Sequence, residues 1–490
     1  MQMKRCRSRS GNPGYRRSPN GGTAIAALCL SAIAAANGLS ATPASAQTSC
    51  PADTGITFSP DWTQGATTIK NIMISINVTQ EEFTKLGDPR SGPTAARALA
   101  RDRIYKCFGD NFDFIYFILD SNRGGGTQVF SSTDRNRASW GSAIRLQGVV
   151  ILPSRAHMVF GATLHELSHR WANHFLETES WSPRSCAEIQ TARFVQHYKI
   201  KGEEKTFERK DVTCSQTIRT GLIAPPASRG PDDDPSHWGV SSVAGQLGGF
   251  APGTVTKVTK NGKTYWEASN FFAHNAAGGN RVPYAPLELY LMGLAPLNVV
   301  PPVTVFTGLQ DVWFEAVDTS ANGRVSWELR PRFVATRTVY TPRQLREKAG
   351  PLPSAYDSDV NEPQMFRALG VVVTTTDIPI ADDKSTYSWK DFQNAWYWFG
   401  MKSNDFSPFK IDGKAQLKRS YPEREVLQDI TGIYNLYKAT KQTLETYEDD
   451  ATTTSADTTA ITPTGKTVSV PGAYFAMTDL TLDIGPATAK

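Results

Sequence analysis

The chain has 490 residues, 40% hydrophobic and 20% charged, which is enough apolar content for a large buried core and too little charge for a disordered chain. Its formal charge of +5 belongs to the amino terminus: residues 1–46 carry six basic and no acidic side chains, leaving about −1 (5 − 6) for the rest. That balance removes any charge-based case for nucleic acid or an anionic membrane as partner.

Residues 1–46 have the order of a secretory signal. Lys4, Arg5, Arg7, Arg9, Arg16 and Arg17 make a basic region, Ala24 to Ala36 an apolar one, and Ala44-Ser45-Ala46 a small-residue cleavage site. Arg16-Arg17 also invites a twin-arginine reading, although Ser18-Pro19-Asn20 follow where apolar residues belong. The apolar region is too short to span a bilayer and no later stretch is long enough, so the expectation is a secreted or periplasmic protein with no membrane span. Beyond the leader stand Cys50, Cys107, Cys186 and Cys214. In an oxidising compartment they suggest two disulfides, and the local pairings are Cys50 with Cys107 and Cys186 with Cys214.

Next come alternating elements. Ile72, Ile74, Ile76 and Val78 alternate with Met73, Ser75 and Asn77 as in a strand, and Thr79 before Gln80-Glu81-Glu82 can cap a short helix. Thr94 to Cys107 has helical composition and stops near Gly109. Phe112 to Leu119 is almost wholly apolar, the pattern of a strand buried on both faces. A polar, glycine-rich loop at Asn122 to Thr127 precedes a second strand at Gly148 to Leu152.

Shortly after that strand the chain runs His165-Glu166-Leu167-Ser168-His169, with Leu164, Leu167, Trp171 and Phe175 recurring at spacings of three and four. On a helix the two imidazoles share one face, so they can hold a single Zn2+ ion, while Glu166 lies about 100° around and can act as general base on water at the ion. The plainer alternative is a partly exposed helix with satisfied histidines. A zinc site needs a third ligand. A histidine ten residues after His165 would serve, but Phe175 stands there and His174 misses by one. Two distal residues are better candidates. Glu288 opens a short helix begun by Pro286, where it can be a ligand or simply favour the helix dipole. His237, followed by Trp238, can be a ligand or an oxyanion donor. Tyr284 and Tyr290 flank the Glu288 segment, and a phenol there can donate to a tetrahedral intermediate; Tyr290 is the candidate catalytic donor.

Pro225 to Pro235 form a proline- and aspartate-rich loop whose Asp232-Asp233-Asp234 reads as a solvated turn before it reads as a calcium site. Strands are expected at Val303 to Phe306, Val312 to Val317, Val325 to Leu329 and Phe333 to Tyr340, and a helix from Thr341-Pro342 to Gly350-Pro351. Trp389, Trp396 and Trp398 can line a sugar or peptide groove or pack a core, with core packing the default. The threonine-rich stretch after Ala451 reads as flexible, with a short strand pair from Val468. These elements divide the chain into a leader (1–46), a catalytic body (47–300), a C-terminal α/β subdomain (301–450) and a tail (451–490).

The order of strand, backing helix, strand, strand and metal-bearing helix resembles the upper subdomain of zincin metallopeptidases. There an edge strand pairs with extended substrate, and Gly148 to Leu152 is the candidate for it, with an ordinary sheet strand the equal alternative. His165-Glu-Leu-Ser-His169-Arg170-Trp171, His237-Trp238 and Ala285-Pro-Leu-Glu288-Leu-Tyr-Leu-Met292-Gly-Leu294 together resemble secreted bacterial zincin-like proteins that pair an HELxHRW helix with a later PL(D/E)xYLMGL block. The resemblance covers about residues 100–300. It implies a zinc-dependent peptidase and suggests that the acidic residue or the methionine of the later block lies beneath the metal. The chain departs from the metzincin pattern and from the NExxxD helix of thermolysin-like enzymes, which leaves the subfamily open.

The sequence thus predicts an α+β fold with a zincin-like mixed sheet, a backing helix, an active-site helix and an elaborated C-terminal part. The expected function is that of a secreted zinc endopeptidase acting on protein or peptide substrates. Two other readings stand beside it: a zinc-containing surface or binding protein without catalysis, and a carbohydrate-binding protein built on the tryptophan cluster.

Overall fold

The computed structural model describes residues 50–440 apart from 65–66, 122–128, 133–135, 173–174, 177, 179–188, 201–202, 215–236, 261, 269–270, 273–278, 296, 319–326, 350–364, 379–387, 402–409, 412–413 and 422–423, and beyond residue 440 it describes three short strands. All belong to one compact unit, Ala46–Lys490. The expected leader, the Asp232 to Asp234 loop, His174 and Cys186 lie outside the described residues, as does the side chain of Cys214.

Strands β1 (Ile56–Phe58), β2 (Trp62–Gln64), β3 (Thr67–Ile69) and β4 (Ile74–Asn77) lead into helix α1 (Gln80–Gly87). The cap read at Thr79 is reciprocal. Its hydroxyl accepts the Glu82 N–H at 3.2 Å, and the Glu82 carboxylate accepts the Thr79 N–H at 2.8 Å. A long helical stretch follows as α2 (Gly92–Leu99), a π-helical segment (Ala100–Ile104) and α3 (Tyr105–Cys107). Cys107, at its end, is disulfide-bonded to Cys50 with Cα atoms 5.1 Å apart, the local pairing expected from sequence.

The site-bearing region comprises β5 (Phe114–Leu119), β6 (Val129–Ser132), α4 (Arg137–Trp140), β7 (Gly148–Leu152), α5 (Arg155–Phe160), α6 (Thr163–Ser168) and a 3-10 turn at His169–Trp171. Beyond it lie a hairpin of β8 (Ile189–Ile200) and β9 (Glu203–Cys214), then β10 (Gly249–Phe250), β11 (Val255–Lys260), β12 (Lys263–Ala268), β13 (Phe271–Phe272), α7 (Pro286–Leu291), β14 (Val303–Asp318), β15 (Trp327–Tyr340) and α8 (Pro342–Ala349). The four short strands expected between 303 and 340 are two long ones, and register shifts around Gln310 bend β14 where a break had been read. The chain closes with β16 (Met365–Thr374), α9 (Trp389–Gly400), β17 (Lys410–Ile411), β18 (Lys414–Tyr421), β19 (Arg424–Asp429), a hairpin of β20 (Thr458–Ile461) and β21 (Thr467–Val470), and β22 (Thr481–Asp483).

The architecture is α+β around a mixed sheet in the order β1-β4-β16-β5-β7-β6, with β22 also paired to β16. Strands β4, β16, β5 and β7 are mutually parallel, and β1 and β6 run antiparallel at the two ends. All six residues of β5 are buried, as its apolar run requires. Phe114, Tyr116 and Ile118 point into a core shared with α6, α7 and α9, whereas Ile115, Phe117 and Leu119 meet α1 and α2 on the other face.

Three expectations change. Gly148 to Leu152 is an internal strand, fully buried and paired on both sides; the edge is β6, whose sequence Val-Phe-Ser-Ser mixes apolar with polar residues as an edge strand does. A Cβ at Gly148 would overlap the Phe130 ring, so the glycine is what lets β6 lie this close. The expected boundary at 300 is crossed, because β16 sits between β4 and β5, and within the expected tail β22 returns to pair with β16. The tryptophan cluster is core: Trp389, Trp396 and Trp398 are 4%, 0% and 0% exposed, with the Trp396 ring 5.3 Å from Tyr116, so none of them lines a sugar groove. Among the described residues no helix is long and apolar enough to cross a membrane.

Candidate metal centre

Helix α6 is short, and tertiary contacts fix it in place of length. Leu164 and Leu167 are wholly buried and anchor its inner face to the sheet core. Asn280 braces its start: the side-chain oxygen accepts the Leu164 N–H at 3.0 Å, and the side-chain nitrogen donates to the carbonyls of Met158 at 2.8 Å and Val159 at 3.0 Å. Tyr284 Oη donates to the Leu164 carbonyl at 2.9 Å. The neighbouring Gly279 has φ +60° and a Cβ there would strike the Gly161 backbone, so the bracing segment needs glycine at that point.

With that face packed, His165 and His169 project together from the other, and the loop after residue 236 brings His237 to them. Nε2 of His165 lies 3.1 Å from Nε2 of His169 and 3.1 Å from Nε2 of His237. The ring centroids are 4.6 Å apart for His165 and His169 and 5.0 Å for each pair with His237. His165 Nδ1 donates to the main-chain carbonyl of Gln246 at 2.5 Å, which leaves its Nε2 carrying a lone pair toward the other two rings. Imidazole nitrogens at about 2.0–2.1 Å from a tetrahedral ion stand roughly 3.3 Å from one another, so the spacing fits a cation held between them. The other two Nε2 atoms face that lone pair, where each can either donate a proton to it or share a cation with it. The donor set therefore fits a metal ion of the kind that takes imidazole, although three histidines are not specific to zinc.

The acid and two of the three rings are buried, while His169 is partly exposed. His165 is 4% exposed, Glu166 7% and His237 9%. The Phe130 ring of edge strand β6 lies over His169, with centroids 6.3 Å apart and planes inclined by 25°. Glu166 follows His165 on α6, in the position read from the sequence.

Of the two distal candidates, the structure brings His237 to the pair and leaves Glu288 outside the cluster. The Glu288 carboxylate is 2% exposed and accepts four N–H groups: the Trp238 indole at 2.9 Å, the main chain of Gln246 at 3.0 Å and of Leu247 at 2.9 Å, and Ala285 at 2.8 Å. Burial pushes its carboxyl pKa up, and these four donors oppose the shift. Tyr290 is buried in the core with α7. Desolvation raises its phenol, and the Arg346 guanidinium of α8 draws it back. Met292 is wholly buried in the same core.

Gln246, Asn280 and Phe130 are parts of the site that sequence reasoning missed. Gln246 acts through a peptide oxygen that every residue possesses, so no side-chain pattern announces it. Neither a family model, nor a curated protein, nor a solved structure matches the chain.

Proposed function

We propose that the protein is an exported, divalent-metal-dependent peptidase of zincin type, with His165, His169 and His237 holding the ion and Glu166 as general base. The observation that carries this reading is the convergence of three Nε2 atoms, one of them from His165, the chain neighbour of Glu166 on α6. Zinc suits three neutral imidazoles with one position left for water or substrate. A bound ion of this kind supplies Lewis-acid polarisation of a carbonyl and lowers the pKa of water.

The chain's own residues do the rest. Glu166 accepts the proton of the attacking water and delivers it to the leaving amine. Gln246 fixes the His165 tautomer. Edge strand β6 carries Phe130 beside His169 and ends the sheet, so an extended peptide can add to it by main-chain hydrogen bonds. The basic, apolar and small-residue order of residues 1–46, together with the Cys50–Cys107 disulfide, supports export.

The test is metal content by plasma mass spectrometry on purified protein, with cleavage of a broad peptide library. Wild type is expected to hold one equivalent of zinc and His169→Ala none. Glu166→Gln is expected to keep the metal and lose at least about a hundredfold in turnover, because only the base is removed. Wild type without metal, or Glu166→Gln matching it in turnover, would overturn the proposal. Stoichiometric metal with no cleavage of any library peptide would instead make it a metal-containing binding protein.

A further inference from the structure

We infer that Glu288 is the positioning residue of this centre, a buried carboxylate that holds the loop carrying His237 and, through that loop, also orients His165. The inference deepens the metal-centre reading and rests on it.

Residues 237–247 bring two separate contributions to the site: the His237 imidazole, and the Gln246 carbonyl that receives His165 Nδ1–H. Most of the loop lacks regular secondary structure, so neither contribution is fixed by a helix or strand of its own. The ends of the loop meet where Trp238 N–H donates to the Leu247 carbonyl at 2.8 Å. Glu288 reaches into this closure from the first turn of α7. It accepts the indole N–H of Trp238, the neighbour of His237, and the peptide N–H of Gln246, the residue whose carbonyl orients His165. A single side chain thus touches the support of two of the three imidazoles.

The donor count explains why this acid is not a ligand. Two carboxylate oxygens offer about four lone-pair sites, and four N–H groups fill them. Gly245 completes the fit, since a Cβ there would run into the carboxylate. An amide in place of the acid would turn an NH2 toward N–H groups that already point inward, so glutamine is a poor substitute. Its negative charge also lies one residue removed from a cluster built to hold a cation, where it offsets part of that charge.

The experiment is competition between the full chain and a coloured chelator for Co2+, with the absorption spectrum of bound Co2+ recorded alongside. Trp238→Phe removes one donor to Glu288 while keeping an aromatic ring, and it is expected to weaken Co2+ binding about tenfold and to alter the spectrum. Glu288→Gln is expected to weaken binding about a hundredfold. If Trp238 acts on the centre through Glu288, Trp238→Phe has little further effect in a Glu288→Gln background, an outcome that general loosening of the fold would not give. Trp238→Phe that binds Co2+ as wild type does, or that weakens binding equally in the wild-type and Glu288→Gln backgrounds, overturns the positioning role. Wild type that takes up no Co2+ removes the metal centre itself and is thereby distinguishable.

Discussion

Asp120 stands just past the end of β5, where burial pushes its carboxyl up to about 6 against the opposing pull of Thr374 and the Arg155 guanidinium. Arg155 is itself paired at 3.2 Å with Asp391, and both partners are buried. An unfolded chain holds an aspartate near 3.9, so between about pH 4 and pH 6 the native state binds a proton that the unfolded state does not. Stability from this group therefore falls as pH rises through that window, and the ionised carboxylate is a burden above pH 6. Asp120→Asn is expected to stabilise the fold at pH 7.5 by about 1–3 kcal/mol and to change little at pH 4, as measured by denaturant unfolding at both values. A variant less stable than wild type at pH 7.5 would mean that attraction to Arg155 outweighs the loss of solvation. The candidate centre was legible at this scale to a limited depth. His165, Glu166 and His169 were visible because helical periodicity alone puts i and i+4 together. His237 was visible only as one of several possible donors, 72 residues away across a loop whose path no periodicity specifies. Glu288 drew attention for its residue type, yet three of the four groups it binds are peptide N–H donors, which carry no sequence signature.

Elements were more legible than their partners. The capping box at Thr79, the buried run of β5 and the helix opened by Pro342 follow from local rules, and the structure has them where those rules put them. Helix α9 shows where local rules stop. Its tryptophans have the spacing of a groove or of a core, and only the partner surface decides. That surface is β16 and β5: Trp396 meets Tyr116, and Gly370 has no Cβ because one would press against the Trp396 ring. Trp396→Ala is accordingly expected to destabilise the protein by about 3–5 kcal/mol, through lost burial and the cavity left behind. Urea unfolding measures that loss, and a glycan array run in parallel should be unaffected. A folded Trp396→Ala protein of wild-type stability that had lost sugar binding would restore the groove reading.

The largest departure from the sequence reading concerns how the whole sheet is assembled. Met365–Thr374 contains an apolar run, but nothing local marks it as the strand that joins β4 to β5, and parallel pairing across roughly 250 to 300 residues leaves no turn signal to follow. Its position has a direct consequence for the site. β16 pairs with β4 over four residues and with β5 over six, so without it the sheet divides into a β1-β4 pair and a β5-β7-β6 remnant. Ending the chain at residue 300 would also take Val303, Val305, Phe366, Val372 and the α9 aromatics from the core beneath α6. Leu164 and Leu167, which hold the histidine-bearing helix to that core, would then face an incomplete partner surface. A chain ended at residue 300 keeps every residue of the candidate centre and is nevertheless expected neither to fold nor to bind an ion. Far-UV circular dichroism, gel filtration and Co2+ uptake of residues 47–300 test this against residues 47–490. Cooperative unfolding and metal binding by the shorter chain would show that the site's scaffold is closed before β16 is added, which the sheet order argues against.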